Sequence, residues 1–370
     1  MSILSREIDD DNGRYGSLNF ESKTIVTPNY IPTGAEYYYL QQCSCLSPRD
    51  YSNTNSCEIV RRLDFDQLTR FGKQKEYLDT YKNSIKKYFS DVNRSIRMLH
   101  FNFYRNISKL DARQLEMLLQ LQYDVGVDVI EIPNYPGWTW DYSNIIKFSR
   151  DWADRNEIDL PLLAVASSVT DVDIVNSNAA SVDGMGVNLS PFKKQVLFKV
   201  RRTAKNADLW LHAFNTPREY PAVDKQGTLG ILINFFGFDT ASTRVAGWKE
   251  TRGFYGSLAE KSQEDLLDAA QNMRYFNPGD YSTHSYSHIQ EIHGDECHLS
   301  SFCDCPICRS HKIEDLVEGY EFSYQKTRAH QTISYLNEAS NVQDHLINNN
   351  SEDYINSKEY VKKIISSYVG

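Results

Sequence analysis

Cys303-Asp-Cys305-Pro-Ile-Cys308 places three thiols within six residues. Thiolates at this spacing converge on one metal ion when a turn folds them around it, and Pro306 suits such a turn. Tetrahedral zinc needs a fourth ligand. His330, 22 positions after Cys308 in a helical pattern, is taken for it, with His311, Cys297 and His298 as alternatives. An iron–sulfur cluster commonly takes four cysteines, so three with a histidine nearby point to zinc. Four protein ligands leave no open coordination position, so the expected Zn2+ is structural, and a hydrolase working through metal-bound water is disfavoured. Seven cysteines, an odd number, also argue against a disulfide framework.

A pattern of alternating strands and helices precedes this cluster. Apolar strand candidates recur at 96–103, 127–132, 160–166, 182–189, 209–214 and 229–236, with helical patterns such as 111–123 and 142–155 between them. In the first of these helices Leu115, Leu118, Leu119 and Gln122 fall on one face. Such alternation over 200 residues implies parallel βαβ units, and so many in one domain favour an α/β fold of the (β/α)8 TIM-barrel type. No G-x-G-x-x-G follows a strand and no phosphate-binding G-x-x-x-x-G-K-[ST] is present. The expected organisation is a barrel with an N-terminal extension over 1–282, a small zinc-binding subdomain packed on it over 283–345, and a polar linker with a terminal helix over 346–370.

Composition narrows the class further. The 24 Tyr, 17 Phe and 5 Trp supply apolar surface for a core, which excludes a disordered chain. No run of 18 apolar residues exists and the N-terminus has no apolar leader, so a soluble cytoplasmic protein is expected, without a membrane partner. A net charge of −9 argues against a surface coated for nonspecific nucleic-acid binding, yet local basic stretches remain. The densest holds Lys193, Lys194, Lys199, Arg201, Arg202 and Lys205, and a second holds Lys82, Lys86, Lys87, Arg94 and Arg97. Trp138, Trp140 and Tyr142 follow a strand candidate and offer stacking surfaces for a flipped nucleotide.

C-x-C-x-x-C followed by His about two dozen residues later, behind a barrel pattern, resembles the tRNA-guanine transglycosylase family. Other segments are similar to that family in matching order over about residues 20–340. Lys23-Thr-Ile-Val-Thr-Pro-Asn-Tyr-Ile-Pro-Thr-Gly34 resembles its T-P-x-F-x-P-V-G opening. Val125-Gly-Val-Asp-Val-Ile-Glu-Ile-Pro133 resembles its G-x-D-I strand, and Asp183-Gly-Met-Gly-Val-Asn-Leu-Ser190 its glycine-rich segment. Leu211-His-Ala-Phe-Asn-Thr-Pro217 is similar to its G-V-G-x-P strand end, and Gly237-Phe-Asp-Thr-Ala-Ser-Thr243 to its archaeal-type L-F-D-S-A-S-Y.

The resemblance implies exchange of guanine in a nucleic acid for a 7-deazaguanine through a covalent aspartyl-nucleotide intermediate, the two displacements of a retaining glycosidase. Asp239 is then the nucleophile, although the longer bacterial pattern G-V-D-M-F-D would set Ser242 there. Glu131 would read the donor edge of the base, because a carboxylate accepts two hydrogen bonds. Gly184, Met185, Gly186 and Ser167 would complete the base pocket. Two departures stand out. The family's D-S-G carboxylate is replaced by Leu99-His-Phe-Asn-Phe-Tyr104, where His100 or Asn102 would take over proton transfer. Its V-Q-G-G segment is replaced by Val165-Ala-Ser-Ser-Val169. These departures favour the branch that modifies DNA, in bacteria or phage-infected cells, over one acting on tRNA. A catalytically silent partner subunit is the competing expectation, and a homodimer or a partner protein is compatible with either.

Overall fold

Local capping sets many of the element boundaries. Asp64 and Asp111 each accept a hydrogen bond from the backbone N–H three residues on, and Gln67 and Gln114 Oε1 accept in turn from the cap N–H; these boxes start the helices Phe65–Lys73 and Ala112–Val125. Gly126, at φ 77°, ends the second helix in the left-handed conformation that glycine adopts without strain. The computed structural model describes residues 4–10, 13–20, 23–51, 54, 56–90, 96–103, 110–135, 139–189, 195–216, 230–243, 261–294, 297–316 and 320–362.

The chain divides into two units. The first comprises Met1–Gly34, Thr54–Thr216 and Ile233–Ser242; the second comprises Ala35–Asn53, Pro217–Leu232 and Thr243–Gly370. This differs from the expected division at 282/283, because residues 35–53 join the second unit and 243–282 belong to it as well.

The first unit is mixed α/β. Strands β1 (Leu4–Asp10), β2 (Gly13–Phe20) and β3 (Lys23–Thr27) form an antiparallel sheet. Gly16 is obligatory there: a Cβ would lie 2.1 Å from the Ser5 carbonyl oxygen. Next come β4 (Asn29–Tyr30), β5 (Ser56–Leu63), β6 (Ile96–Phe103) and β7 (Ile130–Ile132). They are followed by β8 (Leu162–Ala166), β9 (Gly184–Asn188), β10 (Trp210–Thr216) and β11 (Thr240–Thr243). Six of these strands make a sheet in the order β4-β11-β10-β9-β8-β7, and β5 pairs with β6 separately. The pairs β4–β11, β10–β9, β9–β8, β8–β7 and β5–β6 are all parallel. Two backbone hydrogen bonds join the sets: Glu58 N–H donates to Pro32 O at 2.9 Å, and Asp128 N–H to Arg97 O at 2.9 Å. Helices Ala112–Val125, Tyr142–Arg155, Val169–Ser177 and Gln195–Asn206 connect successive strands.

Two strand expectations change. The apolar run 229–236 forms a short 3-10 helix, Gly230–Phe236, and the strand comes later at β11. Conversely Ser56–Leu63, with charges at Glu58, Arg61 and Arg62 interrupting its apolar pattern, is a strand that periodicity passes over. A short apolar run does not separate strand from buried helix, and a charged strand hides where its polar side chains are themselves buried.

The second unit holds the antiparallel pair β12 (Arg274–Asn277) and β13 (Ser282–Ser285) and the long helix Tyr320–Ile347. Its apolar cluster includes Leu40, Tyr275, Tyr286, Leu299, Ile307, Ile313 and Ile333. The expected linker across 348–353 is instead largely structured: the helix Ser351–Ser357 begins within it. Of the expected terminal helix, residues 363–368 lie outside the described residues.

Candidate functional site

In the second unit a short helix, Pro306–Arg309, starts with proline at its first turn and carries Cys308, while Cys303 and Cys305 precede it. His330 projects from the helix Tyr320–Ile347 to meet them. One donor atom from each of the four residues lies within 4.8 Å of the others, and all four side chains are buried. His330 Nδ1 is 3.3 Å from both Cys305 Sγ and Cys308 Sγ. Sulfur–sulfur edges of about 3.8 Å follow from zinc–sulfur bonds of about 2.3 Å, so the spread is of tetrahedral size.

The surroundings orient these donors. His330 Nε2 donates to Phe276 O at 2.7 Å, which fixes the tautomer and leaves Nδ1 facing the sulfurs. Tyr275 stacks on the imidazole at 4.3 Å and 10°, and its hydroxyl lies 3.2 Å from Cys308 Sγ. Burial disfavours an imidazolium here, but the Cys305 thiolate and the neighbouring sulfurs outweigh it and raise the His330 pKa to about 10. The sulfurs share protons unequally: Cys303 is pushed down, first by its hydrogen bond with Cys305, and Cys308 is pushed up, first by Cys303. A buried set of thiolates and imidazole demands a cation. These residues could hold a metal ion, and the donor set is compatible with zinc.

The first unit gathers a second polar cluster on one face of its parallel strands. The register pairs Gly184 with Trp210, Gly186 with His212 and Asn188 with Phe214, so Trp210, His212 and Phe214 share a face. His212 Nε2 is 3.2 Å from Glu58 Oε2, and its Nδ1 is 2.8 Å from Thr240 Oγ1. Trp210 Nε1 also donates to Thr240 Oγ1 at 2.8 Å. We assign the Thr240 hydroxyl hydrogen to His212 Nδ1, which sets the His212 proton on Nε2 toward Glu58. Beside this pair, His100 Nδ1 meets Glu131 Oε2 at 2.7 Å. Phe214 touches both imidazoles, stacked on His100 at 4.3 Å and edge-on to His212 at 4.3 Å.

Gln122 fixes the Glu131 backbone on both sides, accepting from its N–H at 2.8 Å and donating to its carbonyl at 2.9 Å. Among the described residues Glu131 Oε1 is buried without a hydrogen-bond partner. Burial raises the Glu131 pKa despite the pull of His100, and the Glu131 and Glu58 charges raise that of His100 against its own burial. The pair therefore holds a proton tightly.

Of the residues expected at the site, His100 and Glu131 are brought into direct contact, whereas Asn102 lies two positions further along β6, opposite Arg62. Ser167 follows β8 and its N–H is capped by Asp171. Three of the expected pocket residues lie on β9. A Cβ at Gly186 would lie 2.2 Å from Phe214, and one at Gly184 2.8 Å from Leu163, so side chains of this unit pack closely against both glycines. Met185 is buried on the opposite face of β9 from these two glycines.

Asp239 departs furthest from expectation. It stands immediately before β11, at the N-terminal end of that strand, and is fully buried. Its Oδ2 accepts from Leu211 N–H at 2.7 Å and pairs with Arg14 at 3.2 Å, the guanidinium itself being buried. Arg14 also donates to Gly237 O and Leu209 O, tying β2 to the segments that lead into β10 and β11. This geometry gives Asp239 a structural tie, through Arg14, between β2 and the start of β11.

Four residues of the basic stretches are engaged in ion pairs: Lys82 with Asp124, Arg97 with Asp128, Lys199 with Asp173 and Lys205 with Asp9. Lys193, Lys194, Arg94 and Trp138 lie outside the described residues. Tyr142 is buried, its hydroxyl donating to Ile132 O, while Trp140 is exposed. No helix among the described residues is long and apolar enough to cross a membrane.

Sequence reasoning missed Glu58 and His212. The available signal was the alternation Trp210-x-His212-x-Phe214 facing Gly184-x-Gly186, since rings on one strand need small residues on the next. No family model matches the chain, and no curated protein matches it.

Proposed function

We propose that the chain is a (β/α)8 protein of the transglycosylase type that exchanges a guanine in nucleic acid, DNA in preference to tRNA, for a 7-deazaguanine. Closure of the strands into a barrel is supported by the two hydrogen bonds that join β4 to β5 and β6 to β7, which complete one cyclic order of parallel strands. The ion at Cys303, Cys305, Cys308 and His330 is a structural zinc, because four protein ligands leave no position for substrate.

The observation that carries the reading is the buried pair of carboxylate–imidazole contacts, Glu58–His212 and His100–Glu131, on one face of the parallel strands. Glu131 Oε1, without a hydrogen-bond partner among the described residues, is the acceptor for a guanine-type N–H edge. Glu58 replaces Asp239 as the carboxylate for attack on C1′, oriented by His212. Its oxygen bonds to C1′ as the C1′–N9 bond breaks, and guanine leaves with a proton from the His100–Glu131 pair. The incoming base then returns a proton to that pair, bonds to C1′ and releases Glu58, so configuration is retained.

Labelled 7-deazaguanine, incubated with the protein and with DNA or tRNA in parallel, followed by nucleoside mass spectrometry, tests exchange. Denaturing gels are expected to trap a nucleic-acid adduct with wild type and none with Glu58→Gln. An adduct surviving in Glu58→Gln overturns the residue assignment, and no exchange on either acceptor overturns the activity. The buried, ion-paired Asp239 specifically favours a second reading, a silent subunit that binds the base and supports an active homologue. Base binding without exchange by the purified chain is the outcome that selects it.

A further inference from the structure

Cys43 and Cys45 take no part in the zinc centre or the sheet-face cluster. The helix Gly34–Gln42 ends where Cys43 N–H donates to Tyr39 O at 3.1 Å, and Leu46 N–H then donates to Cys43 O at 3.0 Å. This turn sets the two sulfurs side by side, 2.9 Å apart, less than about 1 Å beyond the disulfide bond length of about 2.05 Å. Cys43 is buried and Cys45 half-buried, so one sulfur is accessible and the other is screened behind it.

We propose that Cys43 and Cys45 form a redox-active dithiol that exchanges with low-molecular-weight disulfides such as oxidised glutathione. The electrostatics divide the roles. The hydrogen bond from Cys43 and the charge of Lys326, opposed by burial, bring the Cys45 pKa down to about 7, while the same hydrogen bond pushes Cys43 up. Cys45 thiolate attacks one sulfur of the small disulfide and releases the other half as a thiolate. Cys43 then loses its proton and its sulfur displaces the remaining half from Cys45. Two protein thiols are oxidised to one disulfide, and one small disulfide is reduced to two thiols.

Full-length, zinc-loaded protein incubated with oxidised glutathione, quenched in acid, alkylated and mapped by peptide mass spectrometry tests the exchange. A Cys43–Cys45 disulfide within a single peptide is expected, with Cys303, Cys305 and Cys308 unmodified. Cys43→Ser is expected to accumulate a stable glutathione adduct on Cys45, and Cys45→Ser to slow oxidation at least about tenfold. Wild-type alkylation of Cys45, which needs no variant, is expected to be half-maximal near pH 7. Cys43 and Cys45 both remaining alkylatable after oxidised glutathione overturns the proposal. So does a half-maximum at the ordinary thiol value of 9.0, or a bond from either residue to Cys297 instead.

Discussion

Three of the four side chains in the cysteine–histidine cluster come from a stretch of six residues, and the fourth from one long helix. The four titratable side chains on the sheet face come from four different strands, with Glu58 and His212 separated by 154 positions. Local chain geometry builds the first cluster, and strand register builds the second. The first could hold a metal ion on its four donors, whereas the second pairs its carboxylates with imidazoles and leaves one carboxylate oxygen without a partner among the described residues. A cluster encoded locally should fail as a unit when one ligand is removed. One assembled by register should respond in graded, pairwise fashion.

Removal of the metal is the most severe way to probe that contrast. Cys308→Ser, or extraction by a strong chelator, is expected to lower stability by at least about 4 kcal/mol, because three buried donors then face one another without a cation. Elemental analysis should find one ion per wild-type chain and none in the variant, and limited proteolysis should cut first within residues 297–347. Retention of the wild-type melting temperature after complete metal loss would show that the apolar cluster around Tyr275 and Ile307 holds the unit unaided.

Asp239 gives the next largest effect and separates a structural carboxylate from a chemical one. Asp239→Ala takes the nearer of two carboxylates from the buried Arg14 guanidinium and leaves it Asp9 at 3.7 Å, so the expected cost is at most that of a fully broken buried pair, about 3–5 kcal/mol. Denaturant unfolding is the measurement. A variant that unfolds at the wild-type midpoint but forms no adduct would return the nucleophile to Asp239 and remove Glu58 from that role.

How far each region was legible follows from the same contrast. C-x-C-x-x-C can be read from the sequence because its chemistry is confined to one turn, and the helical pattern around His330 supplies the missing donor. The alternation of strand and helix was readable for β6 through β10 because each strand keeps a mainly apolar, buried run despite single polar residues such as His100, Glu131 and His212. Ser56–Leu63 was not readable, because Glu58 and the two arginines break its hydrophobic run, and Glu58 is buried only through a histidine far along the chain. The surroundings of Asp239 were hidden for a related reason. A short motif match gives the residue type but not its partner, and here Arg14 reaches it from β2. The resemblance to a base-exchanging family led to His100 and Glu131 as separate residues, and register alone made them partners.

The smallest expected effect concerns that partnership and is read as a dependence on pH. Both members lie above their ordinary values: Glu131 above 4.5, chiefly through burial, and His100 above 6.5, where burial is outweighed by the Glu131 and Glu58 charges. The folded pair therefore retains protons that the unfolded chain releases. Its stabilising contribution from Glu131 is full below 4.5 and declines above it, and that from His100 is full below 6.5 and is lost as pH rises through its folded value. Wild-type stability is thus expected to fall from mildly acidic to alkaline pH, by at most about 1.4 kcal/mol per pH unit for each proton involved. Glu131→Gln keeps the shape and the hydrogen-bonding capacity toward His100 but removes the carboxylate charge. Denaturation series at several pH values are expected to show a shallower decline in the variant, with the midpoint at high pH little changed. An identical slope in wild type and variant would mean that the two side chains titrate independently of folding, and the sheet-face cluster would then be a packing feature rather than a proton-holding pair.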